Sequence, residues 1–178
     1  DDAGYCFTAA YDVDGDEIYT VILGSPEDGQ RFTDTATLAN WYYGHKKTVA
    51  IANTGKKTAN GNPLMARVAE TDWTDKSVDA TLADPSAQMT VFSLAGEIEE
   101  NVKCDEVSGS IAVGDKVGTV TLKQGGTTVA KMDLVADEEA AAPNPIEWLL
   151  VKLDRLARRI ENKPLAATTE VVAKAPAL

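Results

Sequence analysis

Chemistry on a small protein starts from a nucleophile with a base, a cluster of metal ligands or paired carboxylates, and these 178 residues contain few arrangements of that kind. The single histidine, His45, has no cysteine, histidine or carboxylate spaced to join it, and it follows a helical stretch, where a cationic ring is mildly favourable. The run Asp12-Val13-Asp14-Gly15-Asp16-Glu17 offers alternate carboxylates of the sort that hold hard cations. An EF-hand loop needs glycine sixth and glutamate twelfth. Here glycine stands fourth and Leu23 twelfth, so the run reads as a solvated hairpin turn. Serine acylation signatures are absent: there is no S-x-x-K, S-x-N, S-D-N, G-x-S-x-G or K-T-G. Asn53-Thr54-Gly55-Lys56-Lys57 approaches the last of these but lacks the lysine before Thr54. Cys6 and Cys104 fit neither a metal cluster nor a disulfide framework and are expected as two free, buried thiols, a bridge between them being the alternative. The residues therefore provide no catalytic nucleophile, and they call for no metal and no cofactor.

The elements that would position such groups fall into two kinds. The opening stretch Asp1-Asp2-Ala3-Gly4-Tyr5-Cys6-Phe7-Thr8-Ala9-Ala10-Tyr11 reads as a strand with no beginning, since no capping sequence or signal peptide precedes it. With Ile18-Tyr19-Thr20-Val21-Ile22-Leu23 it makes a hairpin, too apolar to stand alone and expected to be the edge of a larger sheet with an exposed pairing edge. A helix is predicted over 30–43. Its packing face is Phe32, Ala36, Ala39 and Tyr43, widened by Thr35, Leu38 and Tyr42, and Gly44 ends it. From 46 to 136 the pattern changes to short β runs, expected at 48–52, 64–69, 77–82, 89–94, 116–123 and 128–135. One more is expected at 97–104 or 111–113. Turn signals at Asn60-Gly61-Asn62-Pro63, Asp84-Pro85 and Gln124-Gly125-Gly126 separate them, and no helix intervenes, which predicts a small antiparallel sandwich or barrel-like domain.

Charge is unevenly distributed. The net charge of −11 disfavours nucleic-acid binding, which needs a basic footprint. Between Ile146 and Lys163, however, Lys152, Arg155, Arg158, Arg159 and Lys163 outnumber Glu147, Asp154 and Glu161. In the same segment Ile146, Leu149, Leu150, Leu153, Leu156, Ala157 and Ile160 recur at helical spacing behind Pro145. An amphipathic helix over 146–163 follows, stopped by Pro164 and preceded by a linker at 138–145; the tail 164–178 is expected to be flexible. The helix would lie on an anionic membrane surface, pack on itself or a partner, or have no defined role. Trp148, Leu149, Leu153, Arg155, Leu156, Arg158, Arg159 and Ile160 are the membrane-surface candidates.

In this order, the parts resemble the C-terminal portion of serine-type D-Ala-D-Ala carboxypeptidases, the low-molecular-mass penicillin-binding proteins of bacterial envelopes. Ala3-Gly4-Tyr5-Cys6 is similar to the strand that follows the family's K-T-G, and Val21-Ile22-Leu23-Gly24 to the next strand's Leu-Gly end. Arg31-Phe32 through Trp41-Tyr42-Tyr43 resembles the helix after it, and Gly114-Asp115-Lys116-Val117-Gly118-Thr119-Val120 with Gln124-Gly125-Gly126-Thr127 resembles the closing hairpin of the family's β-domain. The resemblance implies an α+β remnant of a penicillin-binding, β-lactamase-like domain at 1–45, an all-β antiparallel domain at 46–137, and a C-terminal amphipathic helix. It places all three catalytic motifs upstream of Asp1 and leaves Arg31 as the one substrate-binding candidate, a guanidinium for a substrate carboxylate or else a surface helix residue. The implied whole enzyme trims the terminal D-alanine of peptidoglycan stem peptides through a serine acyl-enzyme, outside the cytoplasm, on the outer face of the cytoplasmic membrane. The implied partners are the stem peptide and anionic lipid, and no oligomeric state follows. The rival reading is a non-enzymatic cell-envelope β-domain for binding or adhesion.

Overall fold

The hairpin forms because Asp14-Gly15 suits the tightest β-turn. Both residues have positive φ, 54° and 82°, the pairing of signs that a two-residue connection between twisted strands requires. In this computed structural model, which describes residues 3–178, β1 (Tyr5–Val13) and β2 (Asp16–Ser25) pair antiparallel with Val13 opposite Asp16 and Ala10 opposite Tyr19. The expected strand over Asp1 to Tyr11 thus begins at Tyr5, and Asp1 and Asp2 lie outside the described residues. At the open end Gly4 and Gly24, both with positive φ, come so close that a Cβ on Gly4 would stand 2.8 Å from the Gly24 Cα.

The helix α1 (Gln30–Gly44) covers one face of this hairpin. Its buried residues are Thr35 and Ala39, with Arg31, Tyr42 and Tyr43 half-buried, while Phe32, Ala36 and Leu38 stay exposed. Phe32 nevertheless meets the Phe7 ring of β1 edge to face at 4.8 Å, so of the expected packing face only Ala36 and Leu38 turn outward. The Tyr43 hydroxyl donates to the Asp16 and Tyr11 carbonyls at 2.7 and 3.2 Å, and the Lys46 ammonium stands 2.8 Å from the Asp16 carboxylate and 3.1 Å from the Tyr42 oxygen. Gly44 is the last helical residue without positive φ; His45 follows as the cap, donating its N–H to the Tyr42 and Tyr43 carbonyls. Tyr42 stacks on Phe92 at 5.2 Å, a residue of the short segment Thr90–Leu94 that belongs to the same compact unit as the residues through Lys47.

The second unit, Thr48–Met89 with Ala95–Leu178, holds nearly all of the buried apolar residues. Leu64, Met65, Val68, Val78, Leu82, Val117, Val120, Leu122 and Leu134 are almost completely enclosed, all but Leu64 and Met65 on strands. The strands β3 (Lys46–Ala50) and β6 (Gln88–Phe92) form a two-stranded sheet of their own. The remainder are β4 (Ala66–Ala69), β5 (Ser77–Leu82), β7 (Ile98–Cys104), β8 (Lys116–Gln124), β9 (Thr127–Ala136) and a C-terminal β10 (Glu170–Val171). They make one six-stranded sheet in the order β10-β4-β5-β9-β8-β7, rather than the two comparable sheets of a sandwich. The sheet curls: beyond β4 and β7, Glu70 and Val107 form a parallel bridge and the Thr71 N–H donates to the Val107 carbonyl. Of the two places expected for a further strand, 97–104 is the strand, while Ile111 makes an isolated bridge to Ala140.

The expected flexible tail is the largest departure. After the helix α2 (Pro145–Ile160) the chain returns to the β-domain, where Glu170 and Val171 pair with Arg67 and Ala66. Val172 and Ala173 donate to the Met65 carbonyl, Lys174 donates to the Asn53 carbonyl, and the Asn53 amide donates back to Ala175. An Ala/Thr/Val-rich segment carries no strong local signal. It becomes a strand because the outer edge of β4 has unpaired backbone groups within reach.

The Gly4 contact sets a prediction. Gly4→Ala combines an unfavourable left-handed conformation with a backbone clash and is expected to destabilise the hairpin by roughly 2–4 kcal/mol. Faster amide exchange across β2, with exchange in β8 unchanged, is the readout.

Candidate functional site

Arg31 is set in the first turn of α1, its guanidinium 2.5 Å from the Asp28 carboxylate. It lies over the Phe32 ring at 4.8 Å and the Tyr5 ring at 5.5 Å, so two aromatic faces and one carboxylate fix a planar cation. Its Nε is buried without a hydrogen-bond partner, which leaves one edge of the fork unspent. Tyr5 belongs to the Ala-Gly-Tyr-Cys segment, so the fold brings that segment and the first turn of α1 together. Among the described residues, Asp28, Phe32 and Tyr5 touch the Arg31 guanidinium, and none of them is an activated nucleophile. What this arrangement can do is hold a carboxylate, and Asp28 already competes for that role.

The isolated groups stay isolated. His45 donates its Nδ1–H to the Trp41 carbonyl at 2.6 Å and packs against the Trp41 ring, which spends the imidazole on the helix end. Both cysteines are free, but Cys6 is exposed and Cys104 only half-buried; Cys6 sits on the hairpin face turned away from α1, contrary to the expected burial. Burial and neighbouring Asp105 push the Cys104 thiol above its ordinary range, the wrong direction for a reactive thiolate. Sequence reading missed Glu70, 2 % exposed on the curled end of β4, whose carboxyl is raised by burial against the opposing pull of Lys76. No periodicity announces a carboxylate at an inward strand position. Among the described residues no group of three or more His, Cys, Asp or Glu side chains could hold a metal.

The helix α2 is the most strongly built local element. Asn144 caps it, accepting from the Ile146 and Glu147 amides while Glu147 returns a bond to the Asn144 N–H, and Pro145 occupies the first helical position. At the other end Lys163 donates to the Arg158 carbonyl and Asn162 to Arg159, with Asn162 at φ 56°. That left-handed asparagine, rather than Pro164, stops the helix. Its acidic first turn and basic last turn suit the helix dipole.

One line of α2 touches the β-domain and the opposite side does not. Val151 is 7 % exposed, and the Arg155 guanidinium donates through Nη2 to the carbonyls of Thr71 and Trp73. Asp154 is held below the usual carboxylate range by the Thr74 hydroxyl and then by Arg158, whose Nε donates to it at 2.7 Å. The segment expected as a free linker is bound too: Ala140 bridges Ile111, Ala142 donates to Ser110, and the Trp73 indole donates to the Ala141 carbonyl. Ile146, Trp148, Leu149, Leu150, Leu153, Leu156 and Ile160 are nevertheless all more than half exposed, Ile160 reaching 81 %. Of the cations expected at a membrane surface, Arg159 is exposed, but Arg155 and Arg158 are committed to the domain and to Asp154.

No protein-family model and no curated protein sequence matches this chain. Solved structures similar to it in part include a D-alanyl-D-alanine carboxypeptidase from Francisella tularensis, with a TM-score of 0.40 and 18% identity over 79% of this chain and 34% of that one. Penicillin binding protein 5 from Haemophilus influenzae aligns with a TM-score of 0.41 and 17% identity, over 78% of this chain and 39% of that one. A peptidoglycan synthesis regulatory factor from Streptococcus pneumoniae aligns with a TM-score of 0.42 and 18% identity, over 77% and 40%. The chain spans between a third and two fifths of the length of each.

The cap of α2 can be tested directly. Asn144→Ala removes the acceptor for two amides and is expected to cost about 1 kcal/mol of helix stability. The check is hydrogen exchange at Ile146 and Glu147, which should quicken about fivefold while β5 amides keep their protection.

Proposed function

We propose that this chain contributes the hairpin-and-helix edge of a catalytic domain, a supporting β-domain and a membrane-surface helix to a D-Ala-D-Ala carboxypeptidase of the bacterial envelope. In the whole enzyme a serine would attack the terminal D-Ala-D-Ala amide of a stem peptide, the D-alanine amine would leave, and water would release the acyl group. The residues supplying nucleophile and base are not in this chain, which contains none of the three signature motifs. Its share of the work is positional.

The observation that supports this most directly is the meeting of the two quoted strand segments. Ala-Gly-Tyr-Cys and Val-Ile-Leu-Gly pair in one hairpin at Gly4 and Gly24, where neither glycine tolerates a side chain without strain, and Tyr5 then lies beneath Arg31. The hairpin's other face supports it as well. Tyr19, Val21 and Leu23 are exposed there, Leu23 to 76 %, in a sheet whose opposite face is covered by α1. An apolar strand face of this kind suits a sheet that is buried on both sides. Arg31 would sit near the substrate carboxylate, exchanging Asp28 for it.

The helix supports attachment to a membrane surface. No helix among the described residues is long and apolar enough to cross a membrane. An exposed stripe of seven large apolar residues flanked by Lys152 and Arg159 suits a helix lying in the interface, with the acyl boundary covering the stripe.

Two measurements test the proposal. The reading frame upstream of the Asp1 codon should carry K-T-G within a few codons and S-x-x-K farther upstream; a stop codon followed by a signal peptide would instead make the chain a stand-alone binding module. The purified chain should sediment with anionic vesicles, less so as salt rises, and Leu149→Ser/Leu153→Ser/Leu156→Ser should reduce that partitioning at least tenfold, by about 0.8 kcal/mol or more for each buried methylene lost. Salt-insensitive binding that survives the triple substitution would defeat the membrane assignment.

A further inference from the structure

The cations of α2 divide into two groups. Arg158 and Lys163 are neutralised at 2.7 Å by Asp154 and Glu161. Lys152, Arg155 and Arg159 recur at i, i+3 and i+7 on one flank and, among the described residues, have no carboxylate within ion-pair distance. This flank faces the returning segment. Leu165 and Ala166 approach it from the far side and Thr71 closes the floor, enclosing a cleft of about 660 Å³. Arg155 anchors one wall through the Thr71 and Trp73 carbonyls, and its Nε is buried without a partner. Lys152 lines the cleft, and its ammonium lies 5.0 Å from the Trp148 ring centre. Leu153 and Leu156 complete the lining and continue directly into the exposed apolar stripe.

We infer that this cleft binds the headgroup of one anionic phospholipid, with the phosphate between Lys152 and Arg159 and the acyl chains leaving along Leu153 and Leu156. The argument is complementarity. A chain of net charge −11 gathers three unneutralised cations at a single opening. The volume lies within the range of small-molecule sites, and its lining runs from charged to apolar in the direction a lipid does. A free anion would satisfy the cations but leave the leucines wet, and an apolar ligand would leave the cations unpaired. The returning segment is essential, because without Leu165 and Ala166 the flank is an open helix surface. This inference rests on the membrane-surface reading and adds to it a saturable site for a single lipid.

The probe is dihexanoyl phosphatidylglycerol below its micelle concentration, added to the full chain and followed by amide chemical shifts. Saturable shifts at Thr71, Lys152 and Ala166 are expected. Lys152→Ala/Arg159→Ala should weaken the dissociation constant at least tenfold, and Ala166→Trp, which fills the cleft and keeps the cations, should do the same. Unchanged β8 amide shifts establish that the variants fold. Leu149→Ser/Ile160→Ser, outside the cleft, should lose vesicle partitioning and keep monomer binding. Binding of the monomeric lipid without partitioning of the native chain into vesicles would end the membrane-surface reading and leave the cleft standing. Absence of saturable shifts, undiminished binding by both cleft variants, equal binding of dihexanoyl phosphatidylcholine, or equal competition by inorganic phosphate would each overturn the lipid site.

Discussion

A strand has two edges, and the outer edge of β4 is the constraint on which the C-terminal third of the molecule depends. β5 satisfies the inner edge from within the core, where Val68 faces Val78. The outer edge is satisfied only when the chain, having left the domain through α2, comes back as β10. The helix must therefore end abruptly, and the left-handed Asn162 supplies the turn. It must also begin at a fixed point, which the Asn144 cap and the bound segment before it supply. Val151 and Arg155 then set its rotation, so that the apolar stripe turns outward. Each of these features would be inexplicable for a helix that ended the chain loosely, and together they follow from one unpaired edge.

The two units solve the burial problem differently. The β-domain encloses leucine, methionine and valine side chains completely, and its inward alternation is regular from Gly118 to Gln124 of β8 and at the end of β9. The hairpin and α1 bury mainly small or polar groups, Thr20, Ser25, Thr35 and Ala39, and leave Tyr19, Val21, Leu23, Phe32, Leu38 and Trp41 exposed. Its organisation relies instead on directional bonds. Tyr43 reaches two carbonyls at the hairpin turn, and Lys46 closes the same turn through Asp16, whose hydrogen bond is the main cause of its raised affinity for a proton. Polar joints fix orientation without covering area, which is how a thin element remains ordered while its apolar face stays open.

The parts of this fold with a local cause were legible in the sequence. Asp14-Gly15 dictated its hairpin, the stripe from Ile146 to Ile160 dictated its helix, and the β runs lie where β-branched residues alternate between turn signals. What was not legible depends on partners distant in sequence. The bonds from Tyr43 and Lys46 to the hairpin turn depend on Asp16, the outward placement of Cys6 on the side from which α1 covers the hairpin, and the strand at Glu170 on an edge about a hundred residues earlier in the chain. The candidate site shows the same division. Arg31 was identified from its place in a motif, but its aromatic bed and Asp28 partner were not. The commitment of Arg155 and Arg158 to backbone and to Asp154 could not be read from a helical wheel, because neither Thr71 nor Trp73 is near them in sequence.

The bridge between Ala140 and Ile111 and the pairing of Glu170 with Arg67 give the helix one further property. Held at both ends, it is the middle of a closed loop whose free ends cannot diffuse apart. Were α2 to open from its bed on the Thr71–Thr74 turn, Arg155 and Val151 would remain at a high effective concentration relative to the contacts they left, and return would be an intramolecular step. Detachment and redocking would then be governed by loop closure rather than by collision.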